Sequence, residues 1–499
     1  MNISFSKKKH FLLFFCLVLL GIFLAGCNDK QKKHIPKSID ELGNSKVAVV
    51  LGTIQDIYIT EKCPDCEMIR LNSLPECLAA VEKGIADYTV LDSIAILGAG
   101  IEKRGMQVDF CLNDYMSIAS AFRFEDDNLC QQYNEFLAEI HQNGTVNEMK
   151  ERWLSDNALN TSMPPIDRST SGTPILVGTI NFNFPFSFIK DGQLAGYEME
   201  MMYRFGTYIG RPVEISAYEF SSILMALNSG KIDIVTCFLC QTEERAKSVL
   251  FSDPYYRCQS ICVGRSADNN ELGNNDLWAK IKNGLHNNLI VEKRWILLLD
   301  GLGETIFISI FAILIGTVIG GLVCALRMCK RKWLRNIAIG YINIMRGIPI
   351  LVFLMVMFYI VFATSRVTAT WVAIIAFAMN FGAYVSEMFR TGIQSVDKGQ
   401  VEAGRALGFS RNSTFVNFVI PQALRNIFPV YKGEAISLIK NTSVVGYIAI
   451  QDITKASDII RSRTFDAFFP LLIITVIYFI LAWLLGVGLD YLNKKTTRS

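Results

Sequence analysis

Two Cys-x-x-Cys pairs are the residues of this chain whose types and spacing most directly suggest chemistry. They are Cys63-Pro64-Asp65-Cys66 and Cys237-Phe238-Leu239-Cys240. A structural zinc site takes four ligands, which two such pairs could supply if they met in space. Because the pairs lie far apart in the chain, we expect a local disulfide or ordinary thiols instead. We predict no metal and no other cofactor.

Composition places part of the chain in a membrane. The 499 residues are 51% hydrophobic and carry a formal net charge of +3. This predicts two or three domains, at least one of them in lipid. The nearly neutral charge argues against a nucleic-acid partner.

The N-terminus has the pattern of a secretory signal. Three lysines (7–9) precede an apolar run over 11–23, which ends in Leu24-Ala25-Gly26-Cys27. This tetrapeptide resembles a bacterial lipobox, which implies a lipoprotein-type signal peptide over residues 1–27 and lipidation of Cys27. An uncleaved signal anchor is the alternative. Either way, the chain from Asn28 onward begins outside the cytoplasm.

The second half of the chain is predicted to be an all-α transmembrane domain of about five helices. The apolar segments are about Ile306–Cys324, Ile350–Ala363, Trp371–Tyr384, Phe428–Ile450 and Phe469–Leu485. Basic residues crowd the loop after the first segment (327–335) and follow the last one (494–495). The positive-inside rule therefore places these loops and the C-terminus in the cytoplasm.

A polar, basic stretch separates the third and fourth apolar segments. Gly408 and Pro421 predict a helix from near Gln400 and a second helix over 409–419 that stops before the proline. With Glu402 and Ala403, these residues match the "EAA" coupling loop (400–421) of ABC importer permeases. The resemblance implies that Glu402, Ala403, Gly408 and Pro421 dock a separate cytoplasmic ABC ATPase subunit. A re-entrant or interfacial helix without a partner is the alternative.

The resemblance to permeases for polar amino acids of the His/Gln/Glu uptake type covers residues 301–492. It includes Arg346-Gly347-Ile348-Pro349 and Lys440-Asn441-Thr442-Ser443. The sequence contains no Gly-x4-Gly-Lys-Ser/Thr, so we expect ATP hydrolysis on another chain. One permease domain per chain predicts a homodimer.

Two α/β blocks precede the membrane domain. Residues 28–157 and 174–265 flank a turn-rich linker (158–173), and 266–300 are a second linker. The second block resembles lobe 1 of family 3 amino-acid-binding proteins, with Gly196-Tyr197-Glu198 and Thr242-Glu243-Glu244-Arg245 among its motifs. The first block resembles lobe 2, with Gly52-Thr53 and Leu91-Asp92.

This reversed order predicts one circularly permuted, bilobal, periplasmic-binding-protein-like domain, lobe 2 before lobe 1. Such a permutation is possible because the termini of a domain lie at its surface. Two truncated relics that form no common cleft are the alternative.

The resemblance implies how an amino-acid ligand is held. Arg245 is expected to clamp the carboxylate, Asp92 to take the ammonium group and Thr53 to add a hydroxyl contact. Because Arg245 and Asp92 belong to different lobes, bound ligand favours closure. The expected wall residues are Phe182, Phe184, Phe220, Cys237, Phe238 and Cys240.

Departures from the family pattern concern specificity. The run 236–240 has lost most of the usual hydroxyls, Ile180 replaces an acidic residue and Asn183 an aromatic one. These changes point away from lysine, arginine or histidine as the ligand.

The predicted function is ATP-driven amino-acid import across the bacterial cytoplasmic membrane by a fused substrate-binding and permease subunit. The chain itself is then a transporter subunit and not an enzyme. An amino-acid-gated ion channel of the glutamate-receptor type is the alternative, since such channels also join a binding domain to membrane helices. A channel, however, needs a re-entrant selectivity loop.

Overall fold

The computed structural model describes residues 35–498 except 72, 156–157, 169–170, 191, 267–276, 364, 366, 465 and 467. The predicted signal peptide with Cys27 therefore lies outside the described residues, as does part of the second linker. Within the described part, an α/β region is followed by a helical region, as the sequence predicts.

The first lobe, so called because most of it comes from the first sequence block (the block that resembles lobe 2), is built on a five-stranded sheet of order β2-β1-β3-β13-β4. β1 is parallel to β2 and β3, whereas β13 is antiparallel to β3 and β4. The strands are β1 Lys46–Val50, β2 Glu67–Leu71, β3 Tyr88–Asp92, β4 Met106–Ile118 and β13 Tyr256–Arg265. The helices of this lobe are α1 Ile54–Lys62, α2 Leu74–Glu82 and α3 Ile96–Ala99. β1 is fully buried at Val47, Ala48 and Val49, because it lies between β2 and β3 and because α1 and α2 pack against it.

The second lobe has a five-stranded sheet of order β10-β6-β11-β5-β12 and a small sheet of order β7-β8-β9. The strands are β5 Ala121–Phe122, β6 Ile175–Thr179, β7 Phe182–Asn183, β8 Ser187–Lys190, β9 Gln193–Ala195, β10 Val213–Ala217, β11 Ile234–Val235 and β12 Leu250–Phe251. The helices are α4 Asp127–Gln142, α5 Thr145–Trp153, α6 Tyr197–Ile209, α7 Phe220–Asn228 and α8 Glu243–Ala246.

The two sequence blocks exchange strands. β5 comes from the first block and pairs with β11 and β12 of the second, whereas β13 comes from the second block and pairs with β3 and β4 of the first. Trp153, at the end of α5 in the first block, is fully buried and donates its indole N–H to Glu200 Oε2 of α6 (2.7 Å). Each lobe therefore needs residues from both blocks.

The helical region begins before the predicted membrane domain and extends to the C-terminus. Its helices are α9 Leu277–Leu285, α10 Trp295–Arg327, α11 Lys332–Gly347, α12 Ile350–Val356, α13 Ala369–Gln394, α14 Lys398–Ala406, α15 Arg411–Thr414, α16 Ile420–Asn441, α17 Ile453–Thr464 and α18 Phe469–Arg498. Small residues bring α10 and α13 together, since a Cβ at Gly320 would lie 2.6 Å from Val385 Cβ.

The predicted count of five spans is not confirmed. Among the described residues, three helices are long and apolar enough to cross a membrane, α10, α13 and α18. A fourth span results if α11 and Ile350–Val361, bent by 108°, count as one. The bend falls at Ile348, whose backbone is extended because it precedes Pro349. The predicted fourth segment lies in α16 and the 3₁₀ turn Thr442–Ile448. Lys432, Glu434 and Lys440 make this segment too polar to be counted as a membrane span.

Candidate functional site

A cavity of about 280 Å³ lies between the lobes. Eight of the nine predicted ligand-binding residues line it: Thr53, Asp92, Phe184, Phe220, Cys237, Phe238, Cys240 and Arg245. The ninth, Phe182, lies in β7, and its side chain is outside the described part of the structure. The structure thus brings the predicted residues of both lobes to one place, while their binding role stays a prediction.

Arg245 reaches from one lobe to the other. It lies in α8, whose N-cap Thr242 accepts a hydrogen bond from the Arg245 backbone N–H (3.2 Å). Its Nη1 donates to Cys240 O (2.9 Å) and its Nη2 to Gly52 O across the cleft (3.4 Å). A guanidinium carries five N–H donors, so these two contacts leave donors for a carboxylate.

Asp92 stands at the end of β3, where Gln55 holds it. Gln55 Nε2 donates to Asp92 Oδ1 (2.6 Å) and to Ser260 Oγ (3.3 Å), and the glutamine is buried. Gln55 was not among the residues predicted from the sequence. Its position in the first turn of α1, two residues after Thr53, was the available signal.

Thr53 is engaged locally. Its hydroxyl donates to Val50 O (2.7 Å) and caps α1 by accepting from Asp56 N–H (3.4 Å). A hydroxyl has one hydrogen to donate, so Thr53 can donate to a ligand carboxylate only after its bond to Val50 breaks.

Glu198 is a second residue that the sequence analysis did not assign to the site. It is fully buried in the first turn of α6, where Oε1 accepts from Phe238 N–H (2.6 Å) and from the Tyr255 hydroxyl. Burial raises the pKa of Glu198 to about 7, although both hydrogen bonds lower it. The carboxyl thus fixes a cavity-wall residue from behind.

The two Cys-x-x-Cys pairs differ in state. Cys63 and Cys66 form a disulfide after α1, whereas Cys237 and Cys240 are buried thiols in the cavity wall. In the part of the chain that the structure describes, no group of three His, Cys, Asp or Glu residues could hold a metal ion.

The helical region contacts both lobes through α17. Lys455 Nζ pairs with Glu219 Oε1 of the second lobe (2.5 Å), and Arg461 Nη1 pairs with Glu76 Oε1 of the first (2.7 Å). Tyr447, just before α17, and Ser462 within it line the same cavity as Arg245. No pattern in the sequence connects these residues with the cleft.

The predicted coupling loop is helix, turn and helix. α14 ends at Ala406, Gly408 has a φ of +85°, and α15 begins at Arg411. Glu402, Ala403, Gly408 and Pro421 are exposed. Gly404 is buried against Thr414 of α15. A side chain has no room at this position, since a Cβ would lie 2.8 Å from Thr414 Cγ2.

One prediction for this loop was wrong, because the second helix does not stop before Pro421. It continues from α15 through a π-helical turn, Phe415–Val419, into α16. A proline lacks an N–H and its ring clashes with the carbonyl four residues earlier. For Pro421 this carbonyl is that of Asn417, which lies in the π turn, where the backbone is wider than in an α-helix.

Comparisons with known proteins identify the helical region. Residues 300–498 match the family model "Binding-protein-dependent transport system inner membrane component". The "Putative glutamine transport system permease protein GlnP" of Rickettsia typhi is 34% identical over 200 residues, which are 40% of this chain and 92% of that protein. The "Probable amino-acid ABC transporter permease protein YckA" of Bacillus subtilis is 36% identical over 201 residues, 40% of this chain and 88% of that protein.

One solved structure is similar to part of the chain. "Crystal structure of an amino acid ABC transporter with histidines" describes a chain that is 31% identical, with a TM-score of 0.39, over 44% of this chain and 98% of that one. On the family model and the curated relatives, the chain belongs to the binding-protein-dependent transport system inner membrane components, with the permease domain of the amino-acid ABC transporters at its C-terminal end.

Proposed function

We propose that this chain is the fused substrate-binding and permease subunit of an ATP-driven amino-acid importer of the bacterial cytoplasmic membrane. One observation carries the proposal. A single cavity is lined by Arg245 and Asp92 of the two lobes and by Tyr447 and Ser462 of the helical region. A ligand released from this cavity would leave the lobes directly beside the permease.

The chemistry of the cavity suits an amino-acid zwitterion. Removing either charge of the ligand from water is costly unless the charge is paired. Arg245 offers a planar donor group to the carboxylate, and Asp92 offers an acceptor to the ammonium group. The ligand would replace the contact between Arg245 and Gly52 and share Asp92 with Gln55.

The strand exchange supports a single, circularly permuted binding domain. If the blocks were two truncated relics, each would be expected to complete its own sheet. Instead, β5 and β13 each complete the sheet of the other block. We therefore treat residues 28–265 as one bilobal unit with lobe 2 before lobe 1.

The names of the relatives support an amino acid as the substrate class. They include glutamine for GlnP and L-cystine for the "L-cystine transport system permease protein TcyB" of Bacillus subtilis. We take the class from this set and no individual substrate. Because the permease match covers residues 300–498, the channel alternative is not favoured.

In the membrane, the binding domain would lie on the outer, periplasmic side, anchored to lipid at Cys27, with the coupling loop and C-terminus in the cytoplasm. A separate ABC ATPase would dock on the coupling loop. That loop exposes Leu407 (72% exposed), Phe409 and the basic Arg405 and Arg411. A homodimer would supply the second permease domain.

Amino-acid binding by the full-length chain in detergent tests the proposal. Isothermal titration with the twenty L-amino acids should find saturable binding for a subset. Arg245→Ala should weaken this binding by at least about 100-fold, because an unpaired carboxylate would be left in the cleft. Arg257→Ala is the matched control, since Arg257 is exposed on β13 outside the cavity. Absence of binding to all twenty would refute the proposal.

A further inference from the structure

We propose that the cavity selects amino acids with an uncharged, largely apolar side chain, and that Phe238, positioned by Glu198, sets this selection. The inference rests on the proposed function, because it assumes that the cavity binds an amino acid. It goes further in naming the class of ligand side chain and the residue that determines it.

Each charged residue of the cavity already has an ion-pair partner or an expected contact with the ligand's carboxylate or ammonium group. Its charged lining residues, within the described structure, are Asp92, Glu219 and Arg245. Arg245 and Asp92 would bind the two charges that every amino acid carries. Glu219 pairs with Lys455 at 2.5 Å. A charged ligand side chain would therefore lose its hydration without gaining a counter-ion, which is costly.

Apolar groups make up most of the wall that remains for the side chain. In the second lobe these residues are Ile180, Phe184, Phe220, Cys237, Phe238 and Cys240. Five of the six are buried to 9% exposure or less, and Phe220 is half-buried. Contact with them favours an apolar ligand side chain in proportion to the area it buries. Besides Thr53 and Gln55, the uncharged polar lining residues are Ser73, Asn183, Ser221, Tyr447 and Ser462, so an amide side chain should bind, but less tightly.

Phe238 is held in a conformation that a phenylalanine rarely adopts. Its φ of +55° lies in the left-handed region, which disfavours residues with a Cβ. Its ring packs on Phe186 (4.4 Å between centroids) and Tyr256 (6.0 Å). The ring thus occupies part of the wall in one fixed orientation.

Glu198 is the group that holds this conformation. It accepts the Phe238 backbone N–H (2.6 Å) and the hydroxyl of Tyr255, whose own N–H donates to Ile118 O (3.0 Å). The carboxyl therefore joins the wall to the segment where β13 crosses between the lobes. We assign Glu198 as a positioning residue, since it lies behind the wall and does not line the cavity.

The first experiment is a binding panel on the full-length chain in detergent, using L-methionine, L-leucine, L-glutamine, L-lysine and L-glutamate. Methionine or leucine should bind most tightly, glutamine more weakly, and lysine and glutamate at least about 100-fold more weakly. Tightest binding of lysine, glutamate or glutamine would overturn the inference and leave the proposed function intact. If none of the panel nor any other L-amino acid binds, the proposed function fails instead.

The second experiment measures selectivity, the ratio of methionine affinity to glutamine affinity, in wall variants. Phe238→Ser should lower this ratio by about tenfold, because it removes the ring and adds a hydroxyl. Phe238→Gly should do the same while relieving the backbone strain, so that one variant stays folded if the other does not. Phe124→Ser is the control, since Phe124 is 54% exposed outside the cavity.

Glu198 is tested by the same ratio. Glu198→Ala should lower it, whereas Glu198→Gln should retain it, because the amide oxygen can accept from Phe238 and Tyr255. A merely structural role would reduce both affinities equally and leave the ratio unchanged. An unchanged ratio in Phe238→Ser, Phe238→Gly and Glu198→Ala would refute the assignment.

Discussion

Replacing Lys455 with alanine should weaken the attachment of the two lobes to the helical permease region. The Lys455 side chain is 4% exposed and that of Glu219 is 26% exposed, so the pair is largely removed from water. Removing one partner of such a pair leaves a buried charge and costs about 3–5 kcal/mol. The cost is raised by Asp458, which lies in the same cluster. Burial raises the pKa of Asp458 to about 6, and Arg461 and Lys455 counter this rise.

Thermal unfolding of the full-length chain in detergent, at one fixed scan rate, provides the assay. A loss of about 3 kcal/mol should lower the Tm of the binding domain by about 6–12 °C. The double variant Lys455→Ala/Glu219→Ala should recover part of this loss, with a coupling energy of at least about 1 kcal/mol, because no charge then stays buried without its partner. Arg461→Ala should act similarly through Glu76, since that pair is also mostly buried.

Lys46→Ala is the matched control, because Lys46 and Glu67 form an exposed pair at 3.2 Å. It should lower the free energy of unfolding by less than about 1 kcal/mol. The reasoning is refuted if Lys455→Ala is no more destabilising than Lys46→Ala, or if the Lys455 and Glu219 losses are additive. Either result would mean that the lobes do not depend on α17.

Three further predictions concern other parts of the chain. The pKa of Glu198 is about 7 in the folded state and 4.5 ordinarily, so its stabilising contribution is complete below pH 4.5 and is lost as the pH rises through 7. The free energy of unfolding, measured from pH 4 to 9, should therefore decline by up to about 3 kcal/mol in the wild type but not in Glu198→Gln. An equal decline in that variant would contradict the assignment. Cys63→Ser/Cys66→Ser should lower the free energy of unfolding by about 2 kcal/mol, because the closed loop is short, while leaving amino-acid affinity within about threefold; the wild type in reductant should behave alike. Gly408→Val should abolish ligand-stimulated ATP hydrolysis in vesicles with the partner ATPase but spare amino-acid binding, because a side chain is strained at a φ of +85° even with open space around it. Gly303→Val is the control, since Gly303 is also in open space but lies in a helix. Normal stimulation in Gly408→Val would exclude the loop as the coupling element.

Local patterns predicted much of the fold, and the resemblance to amino-acid-binding proteins predicted most of the cavity lining. The two α/β blocks before the membrane domain and the helix break at Gly408 follow from periodicity and from glycine chemistry. The predicted binding residues converge because most of them lie near the end of a strand or the start of a helix, and the resemblance to binding proteins indicates where these positions are.

What the sequence did not predict depends on contacts between distant segments. The helix passes Pro421 because a π turn relieves the proline clash, and the sequence shows only the proline. Gln55 and Glu198 became part of the site through partners 37 and 40 residues away. Tyr447 and Ser462 reach the cavity only because the two lobes pack on α17 and the turn before it.

The exchange of β5 and β13 between the blocks has a consequence for cleavage of the chain. A protease cut in the turn-rich linker, 158–173, would break one covalent connection but no strand pairing. The two fragments would stay together as a complemented pair, because each holds a strand that the other's sheet requires. The cleaved protein would then run as two bands on a denaturing gel but behave as one species in its native state.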